Sequence, residues 1–285
     1  MNNRIKLSTV TTYKFGGYCD NFIELNSKED LSHIKRSSNL KKIFVLGKGS
    51  NVAFSDKGYE GTVINPNLNG IKYCSESDEI KVEAGYYLPD LARFYKKYNL
   101  ENAEFLIGIP GSVGGAVKMN AGAYEKEFSD IINSVETYNL ESSKFETFGI
   151  EELQFSYRNS TNFNNRVILS VNLKAFPGDA KKINKTLKSY IQYRKRTQPA
   201  GIYNAGSVFK NGIDYSAGEL IDKAGLKGYS VDGVRVSEKH ANFFIAPKGS
   251  KAISLYNLVN YVKEKVDTKY GVALEKEILF IGVFE

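Results

Sequence analysis

Ser207 sits in Ala205-Gly206-Ser207-Val208-Phe209-Lys210-Asn211, between a glycine and apolar residues. A hydroxyl there can give up a proton. The G-x-S-x-G pattern of a hydrolase nucleophile is absent, so Ser207 reads either as a proton donor or as a structural serine. Tyr157-Arg158-Asn159-Ser160 sets an arginine beside an aromatic residue. A guanidinium grips a carboxylate through two parallel N–H bonds, although a lone arginine equally reads as solvated surface. Leu274-Glu275-Lys276-Glu277-Ile278 opens the last apolar run. As a strand, it puts Glu275 and Glu277 on the face that continues with Leu279 and Ile281. A carboxylate among apolar neighbours has a raised pKa and suits proton chemistry; the alternative is an exposed strand start. His240, in Ser237-Glu238-Lys239-His240-Ala241-Asn242-Phe243, lines a site or makes a structural hydrogen bond. Together with His33 it is too little for a histidine metal cluster. Cys19 and Cys74 form no C-x-x-C, so no metal and no disulfide framework is expected.

Two glycine segments suggest an anionic or flat ligand. Gly47-Lys48-Gly49-Ser50-Asn51 follows the apolar run Ile43-Phe44-Val45-Leu46. Glycines there let the backbone turn tightly and aim N–H groups at a pyrophosphate. Val52 stands where a dinucleotide fingerprint needs a third small residue, so a Rossmann reading fails, and a plain turn stays open. Gly108-Ile109-Pro110-Gly111-Ser112-Val113-Gly114-Gly115-Ala116 is followed by small residues at Ala121, Gly122 and Ala123. It is not a Walker A loop. Close backbone approach to a ligand explains it, and so does tight helix–strand packing. Arg194-Lys195-Arg196 is a solvated helix end or a diphosphate grip.

The elements that must position these residues follow from periodicity and turn signals. Strands are expected at Ile43–Leu46, Thr62–Ile64, Ile80–Val82, Val135–Tyr138, Arg166–Lys174, Ala241–Ile245 and Leu274–Val283. Helices are expected at Leu88–Tyr98, Lys181–Gln192 and Gly218–Lys223. Leu255, Leu258, Val259, Val262 and Val266 make a further helical stripe closed by Gly271. Gln198-Pro199-Ala200-Gly201 is the expected domain boundary.

The whole chain, 285 residues with 42% hydrophobic and 25% charged residues, has ordinary globular composition, which excludes disorder, collagen and coiled coil. Lys+Arg 39 against Asp+Glu 32 gives +7, a moderate charge that suits a phosphorylated small molecule as well as nucleic acid. Met1 to Gly17 has no apolar run of the secretory kind. Phe105 to Val117, the longest uncharged apolar stretch, is too short and too rich in Gly and Pro to span a bilayer. A cytoplasmic protein is expected.

In this order, the motifs resemble the UDP-N-acetylenolpyruvoylglucosamine reductases (UDP-N-acetylmuramate dehydrogenases) across nearly the whole chain. The resemblance is carried by Thr11-Thr12-Tyr13-Lys14-Phe15-Gly16-Gly17, the two glycine segments, Met119-Asn120-Ala121-Gly122-Ala123-Tyr124, Tyr157–Ser160, Ala205–Asn211, Glu238–Phe243 and Leu274–Glu277. It implies an α+β fold: a two-subdomain FAD-binding region of the vanillyl-alcohol oxidase (PCMH) type, residues 1–72 and 73–197, and a C-terminal α+β substrate-binding domain, residues 198–285. Arg158, Ser207 and Glu277 fall on the family's catalytic positions. Gly47, Lys48, Gly49, Ser50, Asn51, Gly108, Ile109, Pro110, Gly111, Ser112, Gly114, Gly115, Ala121 and Gly122 match its cofactor segments. Arg194, Arg196, Lys210, Asn211 and His240 are implied on the substrate side.

The compact C-terminal region looks like the shorter subclass without the tyrosine-bearing loop, and Gly212 departs from a frequent proline. The implied cofactor is FAD, with NADPH as co-substrate. A UDP-sugar is the implied substrate, in peptidoglycan precursor synthesis, and the chain is expected to be a monomer with no nucleic-acid or membrane partner. In the implied mechanism, hydride passes from NADPH through flavin N5 to the enolpyruvyl group, Arg158 stabilises the enolate and Ser207 supplies the proton. Two other classes stay open: a related FAD sugar or alcohol oxidase, which needs no Arg158/Ser207/Glu277 set, and a basic nucleic-acid-binding module, for which no helix-turn-helix or aromatic strand signature is present.

Overall fold

The computed structural model describes residues 3–32, 34, 42–199 and 203–285. His33 and the Ala200-Gly201 part of the expected boundary lie outside them.

In chain order the elements are β1 (Cys19–Leu25), β2 (Ile43–Val45), β3 (Val52–Phe54), β4 (Tyr59–Pro66), β5 (Ile71–Cys74), β6 (Glu79–Glu83), α1 (Leu88–Lys97), β7 (Leu100–Glu101), α2 (Val113–Met119), β8 (Gly122–Ala123), β9 (Lys126–Glu127), β10 (Ile132–Asn139), β11 (Phe145–Gly149), β12 (Phe155–Ser156), β13 (Asn159–Ser160), β14 (Arg166–Lys174), β15 (Phe176–Pro177), α3 (Ala180–Thr197), α4 (Ala217–Lys223), β16 (Ser230–Val231), β17 (Val234–Val236), β18 (Phe244–Ile245), α5 (Ala252–Tyr270) and β19 (Leu279–Ile281). Among the described residues no helix is long and apolar enough to cross a membrane.

Two compact units emerge. The sheet unit comprises Phe22–Lys48 and Thr62–Arg194; the C-terminal unit comprises Met1–Asn21, Gly49–Gly61 and Lys195–Glu285. In the sheet unit a five-stranded antiparallel sheet runs β11-β10-β14-β6-β5. Its central strand β14 is buried along most of its length because both faces are covered. Ile168, Val171 and Leu173 join a core with α1, α2 and α3. Val167 and Leu169 join a second core with Leu25, Ile64, Leu68 and Tyr138. A register shift between Glu136 and Thr137 of β10 breaks the alternation. A strand covered on both sides reads as a continuous apolar run, which is why Arg166–Lys174 is legible from sequence to the residue.

In the C-terminal unit, α5 buries Leu255, Leu258, Val259, Val262 and Val266, at roughly 1.5–3 kcal/mol for each large aliphatic side chain taken from water. It ends on Gly271 at φ +66, a left-handed cap that costs a glycine little. β19 lies parallel to β3, Leu279 opposite Val52 and Ile281 opposite Phe54. β16, β17 and β18 form a small sheet in that order.

Two expected strands are shorter than the sequence suggests. Of Ala241–Ile245 only Phe244–Ile245 is strand, and of Leu274–Val283 only Leu279–Ile281. In both places a single bridge replaces the ladder: Ser207 with Phe243, and Phe209 with Lys276. The helix expected at Lys181–Gln192 runs on through Thr197, so the basic run Arg194-Lys195-Arg196 is helical.

Candidate functional site

In the sheet unit the two glycine segments meet. A Cβ on Gly47 would lie against the Ser112 side chain and 3.9 Å from the Gly115 Cα. The carbonyls of Leu46 and Gly47 accept bonds from the Asn65 Nδ2, at 2.6 and 3.0 Å, which fixes the exit from β2. Val113 and Gly114, at the start of α2, donate to the carbonyls of Tyr86 and Ala84. Gly114 also lets its helix approach Ala84, whose Cβ is 3.1 Å from where a Gly114 Cβ would be. Tight helix–strand packing thus accounts for Gly114, while a Cβ built on Gly115 would meet, among the described residues, the Ser112 hydroxyl alone, at 3.5 Å. Gly111 is buried, accepts from the Leu88 N–H and has φ +144. Gly108 closes the 3-10 turn Glu104–Gly108, with Ile109 half-buried and Pro110 exposed after it. Ala121 donates to the Ala116 carbonyl and accepts from Phe128.

Arg158 occupies the two-residue turn between β12 and β13. Its φ is +53, a conformation that costs a residue with a Cβ of order 1 kcal/mol. Its side chain is 16% exposed, with Nη2 donating to the Gly122 carbonyl at 2.9 Å and Nη1 3.7 Å from the Glu127 carboxylate. The Tyr157 ring lies beneath the guanidinium, 4.7 Å from centroid to Cζ. Lys118 of α2 donates to the Ser160 carbonyl while the Ser160 hydroxyl donates to the Lys118 carbonyl, stitching the turn to the helix. Burial pulls the Lys118 ammonium below its ordinary pKa.

Arg194 also belongs to the sheet unit. It is largely buried, donates to the Gly108 carbonyl and lies where any side chain on Gly108 would be. Burial lowers its pKa, opposed by Tyr124, which stacks on Tyr190 at 3.7 Å.

The C-terminal unit holds Ser207, Lys210, Asn211, His240 and Glu277, together with Gly49, Ser50 and Asn51. Gly49 has φ +66, and a Cβ there would run into the Val10 carbonyl. Asn51 donates from its side chain to the Glu277 carbonyl at 3.0 Å, and its own carbonyl accepts from Leu279.

Segment 207–210 is clamped from both sides. Val208 donates to the Asn242 carbonyl, Glu277 donates to the Val208 carbonyl, and Lys210 donates to the Glu275 carbonyl. Asn242, 3% exposed, accepts from the Phe209 N–H at 2.9 Å and donates to its carbonyl at 2.8 Å. One amide side chain thereby replaces a strand's worth of pairing, which explains the shortened strand at 241–245. Ser207 and Glu277, both half-buried, are held on adjoining backbone.

Glu275 does not share an apolar face with Glu277. Its side chain is 70% exposed and paired with Lys210 at 2.6 Å; the irregular backbone at 274–278 is the reason. The Asn211 side chain accepts from the Ala217 N–H, the first of α4, whose N-cap is Ser216. His240 accepts at Nδ1 from the Asn242 N–H, and burial lowers its pKa. Arg196 is exposed. Asn65, Asn120, Glu127 and Asn242 escape a reading of the sequence by residue type. The only signal is that Asn120 and Asn242 stand inside motif stretches, where short amides mimic backbone.

Residues 20–146 match the family described as an FAD binding domain, and residues 198–281 match the UDP-N-acetylenolpyruvoylglucosamine reductase C-terminal domain. The UDP-N-acetylenolpyruvoylglucosamine reductase of Orientia tsutsugamushi (strain Ikeda) is 37% identical over 283 residues, 97% of this chain and 93% of its own. That of Clostridium tetani is 38% identical over 276 residues, 95% of this chain and 89% of its own. Among solved structures, the UDP-N-acetylenolpyruvylglucosamine reductase (MurB) of Thermus caldophilus superposes with a TM-score of 0.86 at 32% identity, covering 99% of both chains. The chain belongs to the UDP-N-acetylenolpyruvoylglucosamine reductase family.

Proposed function

We propose that this chain reduces the enolpyruvyl group of UDP-N-acetylglucosamine enolpyruvate to give UDP-N-acetylmuramate, with NADPH as the electron source. Family membership makes it an oxidoreductase with an FAD-binding domain. The residues of the sheet unit fit that cofactor: Gly47 and Gly115, distant in sequence, are brought close enough that a Cβ built on Gly47 would lie 3.9 Å from the Gly115 Cα. Gly47, Lys48, Ser112, Gly115 and Gly122 are the proposed contacts there, and Gly49, Ser50 and Asn51 continue the segment. Bound there, FAD would supply the hydride chemistry of the reduction.

The side chains do the rest. Negative charge builds on the substrate as an enolate, and the Arg158 guanidinium stabilises it electrostatically. Ser207 donates the proton to the carbon next to the carboxylate, and Glu277 assists. Arg194, Arg196, Lys210 and Asn211 are proposed to grip the diphosphate. For Lys210 this means exchanging its pairing with Glu275, and for Asn211 sharing its bond to the Ala217 N–H.

The observation that carries the reading is the clamp on Ser207. A proton donor must be held to the reacting carbon, and the backbone on its C-terminal side is bonded to Asn242 and Glu277. The test is NADPH oxidation by the purified protein with and without the enolpyruvyl UDP-sugar. The expected protein is yellow and oxidises NADPH in proportion to the sugar. A colourless protein indifferent to FAD, or oxygen consumption with simple sugars instead, sinks the reading.

A further inference from the structure

Arg158 stands on a backbone conformation that its turn does not require of an arginine. A two-residue hairpin loop is satisfied more cheaply by Gly or Asn at the left-handed position. Strain of that kind persists only where the surroundings over-determine it, and here they act on the guanidinium.

Two groups of the β8–β9 hairpin converge on it, and a third residue at the end of α2 backs them. The Gly122 carbonyl accepts from Nη2 at 2.9 Å. The Glu127 carboxylate, on the opposite strand of the same hairpin and in register with Gly122, is 3.7 Å from Nη1. That carboxylate is itself fixed, because the Asn120 Nδ2 donates to its other oxygen at 2.7 Å. Asn120 is buried, caps α2 at φ +42, and accepts from the Ser129 N–H at 3.1 Å through its carbonyl oxygen. The Asn120 amide also donates to the Ser156 carbonyl in β12, the strand that leads to Arg158. Gly122 carries no Cβ, and one there would sit 3.1 Å from the Arg158 Nη1.

We propose that Glu127 is a positioning residue which, held by Asn120 and acting with the Gly122 carbonyl, fixes the guanidinium of Arg158. On the proposed function, Arg158 is the group that meets negative charge as it develops, and such a group works best when it needs no reorganisation at that moment. A guanidinium held from one edge by a carbonyl and a carboxylate keeps its remaining N–H bonds in a fixed plane.

The test uses the full-length holoprotein with isotope-labelled arginine and two readouts. Rotation of the Arg158 guanidinium, followed by NMR, requires no turnover. Rapid-mixing kinetics then separate reduction by NADPH from reduction of the sugar. Glu127→Gln keeps the volume and removes the charge. It is expected to speed guanidinium rotation at least threefold. It also slows sugar reduction about tenfold, equivalent to about 1.4 kcal/mol, with the NADPH step within twofold of wild type. Glu127→Asp, which keeps the charge, restores part of both. Asn120→Ala, which frees the carboxylate without touching either charge, moves both in the same direction and keeps the question answerable should Glu127→Gln fail to fold.

Unchanged rotation in the folded variants overturns the assignment. Equal loss in both half-reactions does so too, since a merely structural glutamate has no reason to spare the NADPH step. A wild type that never reduces the sugar defeats the proposed function instead, while the rotation measurement still decides whether Glu127 holds Arg158.

Discussion

On the proposed function, Ser207 is the residue on which proton delivery turns. In Ser207→Ala, reduction by NADPH is expected to proceed as in wild type, while reduction of the sugar falls by about 10²–10⁴-fold, the range of a positioned general acid. Rapid-mixing absorbance of the flavin checks this, and parallel loss of the two steps removes Ser207 from the proton path. His240 makes a second residue-scale expectation. Burial holds its imidazole below the ordinary value of about 6.5, and Nδ1 accepts from the Asn242 N–H. The unfolded chain binds that proton more readily. The stability contributed by the neutral ring is therefore complete above pH about 6.5 and drains away as pH falls toward the native pKa. An NMR titration of the imidazole, assigned with His33→Gln, reports it; a value at or above 6.5 contradicts the burial argument. The serine, the arginine and the carboxylate are visible in the sequence by type. Their roles are not, because Glu275 and Glu277 look alike until Lys210 is seen to pair with Glu275.

At the scale of elements, the decisive piece is not a helix or a strand but the Asn242 amide bonded to both backbone groups of Phe209. Asn242→Ala leaves a buried N–H and a buried carbonyl without partners, at roughly 1–3 kcal/mol each. Urea denaturation measures the loss, and a change within about 0.5 kcal/mol, ordinary for surface positions, removes the clamp from consideration. This is also where sequence reading stops. β14 and α5 announce themselves because burial imposes a period on their side chains. The stretches 241–243 and 274–278 contain the same residue types, and alternation there suggests strands that single bridges and an amide actually replace. Likewise Gly108, Gly114 and Gly115 look equivalent on the page. In the fold the first clears space for Arg194, the second packs on Ala84, and the third borders Gly47 through Ser112.

For the whole molecule, a cofactor that binds only the native chain raises its stability by RT ln(1 + [L]/Kd), about 2.7 kcal/mol at a hundredfold excess over Kd. Flavin-stripped protein is expected to melt at a temperature that climbs with the logarithm of added FAD; a transition indifferent to FAD counts against the FAD-binding assignment. The α+β class and the order of motifs are legible from sequence, but the interleaving of the two units is not, since nothing local marks residues 49–61 as companions of 195–285. That interleaving bears on how the chain comes off the ribosome. β3 is made early, yet its parallel neighbour β19 begins at Leu279, so Val52, Ala53 and Phe54 wait through more than two hundred further residues of synthesis. Pairings so remote are slow to close, and nascent chains stalled short of Leu279 offer an unmatched apolar edge to chaperones and proteases.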